Sequence, residues 1–175
     1  GGEVVPYDPA LNSRAFTVDI WARLSEEAAA SNTLQSVVSS GHRARGYAVL
    51  VAPTEGKPGL AWQLVCGTAT RGIKAKHKGW ATIQGPAATP GEWTHLVGTY
   101  DGHVLRLYVN GTIVTERKAK CLTNNDSPLR IAAGGGGPPS TGPFGGEIGE
   151  VSVFAQALPP ARVRMHWVES GHGHE

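Results

Sequence analysis

The chain has 175 residues, and its 24 glycines and 12 prolines favour a fold with many turns and therefore many short strands. Its 16 Lys and Arg residues and 14 Asp and Glu residues give a net charge of +2, which is too small to indicate nucleic-acid binding. No apolar run approaches the roughly 18 residues that a membrane helix needs, so we expect no membrane insertion. The length predicts one domain, residues 1–175, that is monomeric in isolation.

The first half of the chain reads as strands separated by polar turns. Apolar and polar residues alternate over residues 15–24, which is typical of a half-buried strand. Residues 25–32 could form one helical turn or a loop, and a loop is preferred. Further strands are predicted at residues 34–40, 46–52 and 59–66, and a basic turn joins the first two of these three.

The two cysteines are candidates for a disulfide. Leu60, Trp62, Leu64 and Cys66 fall on one face of a predicted strand, so Cys66 is expected to be either a buried thiol or a disulfide partner of Cys121. Two thiols alone do not identify a cellular compartment.

A three-stranded meander is predicted over residues 92–114, EWTHLVGTYDGHVLRLYVNGTIV. Its two turns are the dipeptides Asp101-Gly102 and Asn110-Gly111, and Asn-Gly is among the strongest hairpin signals because a type I′ turn needs positive φ at both central residues. His95 is expected to be packed and hydrogen-bonded rather than catalytic. We therefore expect this stretch to organise the fold and any ligand site to lie elsewhere.

The last third of the chain predicts two more strands, at residues 127–134 and 146–154, and a short helix at residues 158–167. The glycine-rich run at residues 134–137 lacks the context of a phosphate loop and is predicted to be a mobile surface loop. With nine to eleven short strands and at most one short C-terminal helix, the fold class is all-β, a two-sheet antiparallel β-sandwich.

Five segments in one order carry a family resemblance: FTVDIWARL, GYAVLV, EWTHLVGTYDGHVLRLYVNGTIV, PLRIAAG and FGGEIGEVSVFAQALPPARV. Together they resemble the laminin-G-like, concanavalin A-like jelly-roll domains, particularly LamG-type modules and, more remotely, the pentraxins. The resemblance covers about residues 15–168 and implies a core of those bounds in a lectin-like jelly roll. Such domains include lectins, glycan-binding modules, adhesion domains and scaffolds, so the fold alone does not choose a function.

Catalysis is not expected, although the superfamily that the chain resembles contains glucanases. Retaining glycosidases need two carboxylates that project into one site. The best candidates, Glu147 and Glu150, are three residues apart and would point to opposite faces of a regular strand. We therefore predict no catalytic residues.

The resemblance implies a calcium loop between the last two strands, but residues 134–145 contain no Asp or Glu. Other oxygen donors lie in one polar loop: Asn124, Asn125 and Asp126. These three are the candidate ligands of a structural calcium ion, and no other cofactor is required.

The candidate ligand platform is Trp80, which is expected to be exposed, with His77, Lys78 and Gln84 nearby. Tyr108, beside Arg106 on the more polar face of its strand, is a second candidate. Three basic groups in predicted loops are either ordinary solvated charges or a surface for sulfated or acidic polymers, and such a surface would favour acidic glycans. They are His42, Arg43 and Arg45; Arg71, Lys74, Lys76, His77 and Lys78; and Arg117, Lys118 and Lys120.

The expected function is a non-catalytic, lectin-like recognition module that binds carbohydrate, with an acidic glycan favoured. The alternative is a domain that binds protein or serves as a scaffold without binding sugar, and a glycan-degrading enzyme is a remote third. Gly1-Gly2 looks like a cut domain boundary, so we expect a larger multidomain parent. An extracellular or cell-surface location is favoured slightly over an intracellular scaffold.

Overall fold

The computed structural model describes residues 2–69 and 79–171. Within these residues, twelve strands form two sheets that pack face to face. The strands are β1 (Glu3–Val5), β2 (Phe16–Leu24), β3 (Gln35–His42), β4 (Arg45–Pro53), β5 (Leu60–Gly67), β6 (Trp80–Ala87), β7 (Trp93–Tyr100), β8 (Val104–Val109), β9 (Thr112–Lys118), β10 (Leu129–Ile131), β11 (Gly142–Pro143) and β12 (Gly146–Phe154).

The seven-stranded sheet has the order β1-β10-β3-β4-β5-β6, with the short β11 paired in parallel to β3. The five-stranded sheet has the order β12-β2-β7-β8-β9, and all its pairs are antiparallel. The predicted two-sheet β-sandwich is thereby confirmed.

The core lies between the sheets because alternate residues of each strand are apolar. Ile20 and Leu96 of the five-stranded sheet and Trp62 and Leu64 of the seven-stranded sheet are almost fully buried there. The edge strands β6 and β9 lie beside each other, so the two sheets approach along one side of the sandwich.

Two α-helices accompany the sheets, where the sequence predicted one. The prediction of a loop at residues 25–32 is wrong over α1 (Glu26–Ala30). The hydroxyl of Ser25 accepts a hydrogen bond from the Ala28 N–H at 3.0 Å and caps the helix, and two glutamates in the first turn suit the positive end of the helix dipole. A 3-10 turn at Pro9–Leu11 completes the helical segments of the described residues.

The predicted C-terminal helix is α2 (Pro160–Gly171), which extends four residues beyond the predicted end. It packs on the outer face of the five-stranded sheet, where Val163 is buried with Val97, Tyr108 and Leu158. Neither α1 nor α2, the α-helices of the described residues, is long and apolar enough to cross a membrane.

His95 occupies the same outer face, beneath α2. Its ring is fully buried, and its Nε2 lies 2.7 Å from Oδ1 of Asp19. The other oxygen of Asp19 lies 2.9 Å from Nδ1 of His166 on α2. The prediction that His95 is a packed, hydrogen-bonded residue is confirmed.

The two turns of the meander form as predicted. Asn110 and Gly111 have φ angles of 49° and 82°, as a type I′ turn requires. In the other turn, Oδ1 of Asp101 accepts hydrogen bonds from the backbone N–H groups of His103 and Val104, and Oδ2 accepts one from Arg106. Burial acts to raise the pKa of Asp101, but these hydrogen bonds and the Arg106 charge outweigh it and hold that pKa at about 2.

Cys66 and Cys121 form a disulfide, which resolves the two alternatives for Cys66. The bond joins β5 of the seven-stranded sheet to the segment that follows β9 of the five-stranded sheet. It closes a loop between residues 55 positions apart in sequence, which in the chain-entropy account stabilises the fold by about 4 kcal/mol.

Removing the disulfide is expected to lower the free energy of unfolding by about 4 kcal/mol, because the unfolded chain regains the freedom of the closed loop. Urea unfolding of the wild type and Cys121→Ser, with and without reductant, measures this loss. The reductant should destabilise the wild type and leave Cys121→Ser unchanged. An equal response of both proteins would show that the bond does not form.

The depressed pKa of Asp101 predicts a pH-dependent contribution to stability. A carboxyl group whose pKa is lower in the folded state stabilises the fold fully above its unfolded value of about 4 and loses this effect as the pH falls through about 2. The wild type should therefore melt at a higher temperature than Asp101→Asn at neutral pH, and the difference should vanish in strong acid. Glu169→Gln, which removes a charge from the exposed surface of α2, is the control and should show no such convergence.

Candidate functional site

The candidate site lies on the outer face of the seven-stranded sheet, where β6 meets β9. Trp80 begins β6 and lays its indole on Ala48, Leu50 and Val65, the outward-facing apolar residues of β4 and β5. The indole is only 8% exposed, so the prediction of an exposed platform is wrong. The cause is the apolar surface beneath the indole. When the ring packs on this surface, both lose contact with water, and the burial of apolar area stabilises the packed arrangement. The part that stays accessible lines two clefts.

The first cleft, called here the polar cleft, has a volume of about 730 Å³ and is defined by Gln63, Trp80, Thr82, Gln84 and Arg117. Gln63 and Gln84 are paired across β5 and β6, which places their side chains together on the outer face. The amide nitrogen of Gln63 donates to the amide oxygen of Gln84 at 3.4 Å. The exposed side chains of Glu55 and Lys57 also line this cleft.

Two polar atoms of the polar cleft are buried without a hydrogen-bond partner among the described residues. They are Oε1 of Gln63, whose residue is 6% exposed, and Oγ1 of Thr82. A buried polar atom with no partner costs about 1–3 kcal/mol. Because the Gln63 side chain lines the cleft, a rotation of its amide would let Oε1 accept a hydrogen bond from a ligand hydroxyl or amide and would remove this cost.

The second cleft, called here the basic cleft, has a volume of about 750 Å³ and is defined by Trp80, His103, Arg117, Lys118 and Lys120. Arg117 is opposite the buried Leu105 in the register of β9 and β8, so it starts from the inner side of the sheet. Since β9 is an edge strand, the Arg117 side chain can leave the sandwich toward β6. Its Nη1 donates a hydrogen bond to the backbone oxygen of Thr82 at 3.2 Å. Arg117 and Trp80 therefore line both clefts.

The structure brings together part of the predicted ligand set. Trp80 and Gln84 line the polar cleft as a pair. His77 and Lys78, as well as the rest of the basic group between residues 71 and 78, lie outside the described residues.

Tyr108 and Arg106 are corrections to that set, because neither of them lines either cleft. Tyr108 is 2% exposed beneath α2, and burial raises the pKa of its hydroxyl. Arg106 is held by ion pairs with Asp101 and Glu116, both at 2.9 Å. The sequence shows two faces of that strand but does not show that a helix covers one of them.

Gln63 and His103 were not predicted as site residues. Gln63 lies between Trp62 and Leu64, so strand alternation places it on the outer face once those two are assigned to the core. His103 follows the Asp101-Gly102 turn, and both Gly102 and His103 line the basic cleft. The meander, from which any ligand site was expected to be remote, thus borders one of the two candidate clefts at this turn.

The predicted calcium site does not fit the loop that should hold it. The side chain of Asn124 is buried, and its Oδ1 already accepts hydrogen bonds from the backbone N–H groups of Asp126 and Ser127. Its Nδ2 donates to Asn12 and to the Ser127 carbonyl. Asn124 thus organises its own loop, while Asn125 and Asp126 are exposed beside it. In the described part of the chain, no group of three or more His, Cys, Asp or Glu side chains is arranged to hold a metal ion.

The two glutamates weighed as a catalytic pair lie on the exposed side of β12. Glu147 forms an ion pair with Arg23, whose guanidinium also stacks on Trp93 at 5.1 Å. Glu150 has a φ of 51° at an irregularity in the pairing of β12 with β2. This irregularity breaks the regular alternation from which opposite faces were predicted, and neither glutamate lines either cleft.

Comparison with known families gives one match over most of the chain. The family model Laminin_G_3, described as concanavalin A-like lectin/glucanases superfamily, matches residues 1–164. None of the curated protein sequences compared with the chain matches it.

Solved structures of similar fold include a pentraxin, the binding domain of a mosquitocidal protein and one domain of an arabinanase. A heptameric SAP-like pentraxin from Limulus polyphemus has a TM-score of 0.64 at 16% identity, over 94% of this chain and 72% of the pentraxin. The binding domain of Paraclostridial Mosquitocidal Protein 1 has a TM-score of 0.68 at 14% identity, over 95% of this chain and 40% of that domain. Domain 4 of AbnA, an extracellular GH43 arabinanase from Geobacillus stearothermophilus, was solved with arabinotriose; its TM-score is 0.60 at 18% identity, over 94% of this chain and 71% of that domain.

Truncating Trp80 tests its role in covering the sheet. Trp80→Ala should lower the free energy of unfolding by about 3–5 kcal/mol, because it removes a buried aromatic side chain and exposes the apolar residues beneath it. The matched variant Trp93→Ala, which removes a half-buried indole, should cost about 1–2 kcal/mol. Chemical denaturation followed by circular dichroism measures both losses. Equal losses would contradict the packing role of Trp80.

Proposed function

Because the chain belongs to the Laminin_G_3 family of the concanavalin A-like lectin/glucanase superfamily, we propose that it is a non-catalytic module that recognises carbohydrate in the polar cleft. The observation that carries this proposal is the unpartnered Oε1 of Gln63, a residue that lines a cleft bordered by an indole. Carbohydrate hydroxyl groups are donors that match such an acceptor.

The chemistry of the polar cleft suits a sugar ring. Sugar sites combine an apolar aromatic surface with a few placed polar groups that fix the orientation of the ring. Here the accessible part of Trp80 supplies the apolar contact, and Gln63, Gln84 and Thr82 supply amide and hydroxyl groups. Since β-strands and not mobile loops carry these side chains, their positions are set before a ligand arrives.

The acidic residues near the clefts support recognition without hydrolysis. Glycoside hydrolysis of the common kind needs two carboxyl groups on either side of the scissile bond. Among the described residues that line the two clefts, Glu55 is the only carboxylate. A single acid at this position does not make the required pair.

The similar structures and the disulfide also support the proposal. One of the structures is a domain of a larger arabinanase bound to arabinotriose, and another is the binding domain of a toxin. The Cys66–Cys121 bond favours an oxidising compartment and hence an extracellular or cell-surface protein.

The test is a glycan array followed by titration calorimetry with the strongest hit. Gln63→Met preserves the volume of the side chain but removes its amide, and we expect about tenfold weaker binding because a buried hydrogen bond to the ligand is lost. Gln156→Met makes the same change at an exposed site after β12 and should leave the affinity unchanged. A broad array without a hit would exclude the proposal and favour a protein ligand, and unchanged affinity in Gln63→Met would move the site away from the polar cleft.

A further inference from the structure

We propose that the ligand is an acidic oligosaccharide that crosses from the polar cleft into the basic cleft, where its carboxylate or sulfate group is bound. This inference rests on the proposed function and names the class of sugar that the site would select. Three observations support it: the composition of the basic cleft, the ion pairs that hold the neighbouring acidic residues, and the two residues that line both clefts.

The basic cleft is positively charged and lacks a compensating acid. Arg117, Lys118 and Lys120 line it together with His103, and none of its described lining residues is Asp or Glu. Within the described residues, Lys118 and Lys120 take part in no ion pair, and both are exposed. The three permanent charges converge on one concave surface, which concentrates their field on an anion inside it.

The acidic residues closest in sequence are held on another face. Glu116 directly precedes Arg117 but points to the opposite side of β9, where it pairs with Arg106. Asp101 directly precedes Gly102 of the basic cleft, yet its carboxylate is bound by the same Arg106 and by the backbone of its own turn. Arg106 therefore binds both of the carboxylates that lie next in sequence to residues of the basic cleft.

The two clefts are adjacent, because Trp80 and Arg117 line both of them. The guanidinium of Arg117 is fixed by its hydrogen bond to the Thr82 carbonyl, beside the unpartnered hydroxyl of the same residue. A sugar held by Gln63 and Thr82 would thus extend toward Arg117, and an acidic substituent on the next ring would reach the two lysines. Uronic acids and sulfated sugars share this chemistry, since both offer an anionic oxygen group on a pyranose ring.

The experiment compares acidic oligosaccharides with neutral forms of the same backbone. The probes are a galacturonate tetramer and its methyl ester, and a chondroitin sulfate tetrasaccharide and its desulfated, carboxyl-reduced form. Calorimetry is carried out on the wild type, Lys118→Gln/Lys120→Gln, Gln63→Met and the control Arg162→Gln/Arg164→Gln. The control removes two exposed charges from α2, on the opposite side of the sandwich.

We expect at least one acidic probe to bind about tenfold more tightly than its neutral form, and this preference to weaken as salt screens the charges. Lys118→Gln/Lys120→Gln should remove most of the preference, and the α2 control should retain it. Binding of the galacturonate tetramer alone would assign the group as a carboxylate. Binding of the chondroitin sulfate probe alone would assign it as a sulfate.

Several results would overturn the inference, and they separate it from the proposed function. Equal binding of acidic and neutral forms, unaffected by the lysine substitutions, would leave carbohydrate recognition standing without charge selection. If the affinity for the acidic probes depends on the two lysines but not on Gln63, the ligand does not span both clefts. That result would also overturn the proposal that the polar cleft is the carbohydrate site. If inorganic sulfate at the same concentration as an acidic probe displaces that probe, the basic cleft binds anions in general and does not select an oligosaccharide. Failure of all four probes to bind, with neutral hits on the glycan array, would exclude the acidic class alone.

Discussion

The arrangement of the site depends on one covalent tie between the two sheets. After β9 the chain crosses from the five-stranded to the seven-stranded sheet, and the Cys66–Cys121 disulfide holds the crossing segment against the end of β5. Backbone hydrogen bonding from Leu122 to Gly67 repeats the attachment one residue further along. On the other side, the Tyr100 hydroxyl donates to the Ala119 carbonyl and accepts from the Cys121 N–H. Because Lys118 and Lys120 lie just before Cys121, the disulfide places their charges beside Trp80.

The second constraint is the apolar outer face of the seven-stranded sheet, which needs a cover. Trp80 covers it from the β6 side, and the glycine-rich run at residues 134–137 covers it from the other. Gly136 has a φ of 70°, and a Cβ there would lie 2.6 Å from the Ser39 hydroxyl, so this close approach requires glycine. Trp80 is therefore a packed wall of the polar cleft, and Oε1 of Gln63 and Oγ1 of Thr82 remain as polar atoms that this cover does not satisfy.

The sequence predicts the strands and turns better than the site. Asn110-Gly111 and the alternation of apolar residues contain the local information that a hairpin and a half-buried strand require. Trp80 and Gln84 are four residues apart, and their proximity was predicted for that reason. Gln63 and Arg117 come from β5 and β9, and only the register of two sheets brings them to Trp80. Tyr108 was misassigned because alternation separates two faces without telling which of them α2 will cover.

The meander links the stability of the fold to the charge of the site. Arg106 neutralises Asp101, which closes the first turn, and Glu116, which lies next to Arg117. These ion pairs are partly exposed and contribute little to stability by themselves. Their larger consequence is electrostatic, since they neutralise the two carboxylates closest in sequence to the basic cleft, whose described lining residues include no Asp or Glu. An alternating strand can place opposite charges on opposite faces with successive residues, and β9 uses Glu116 and Arg117 in this way.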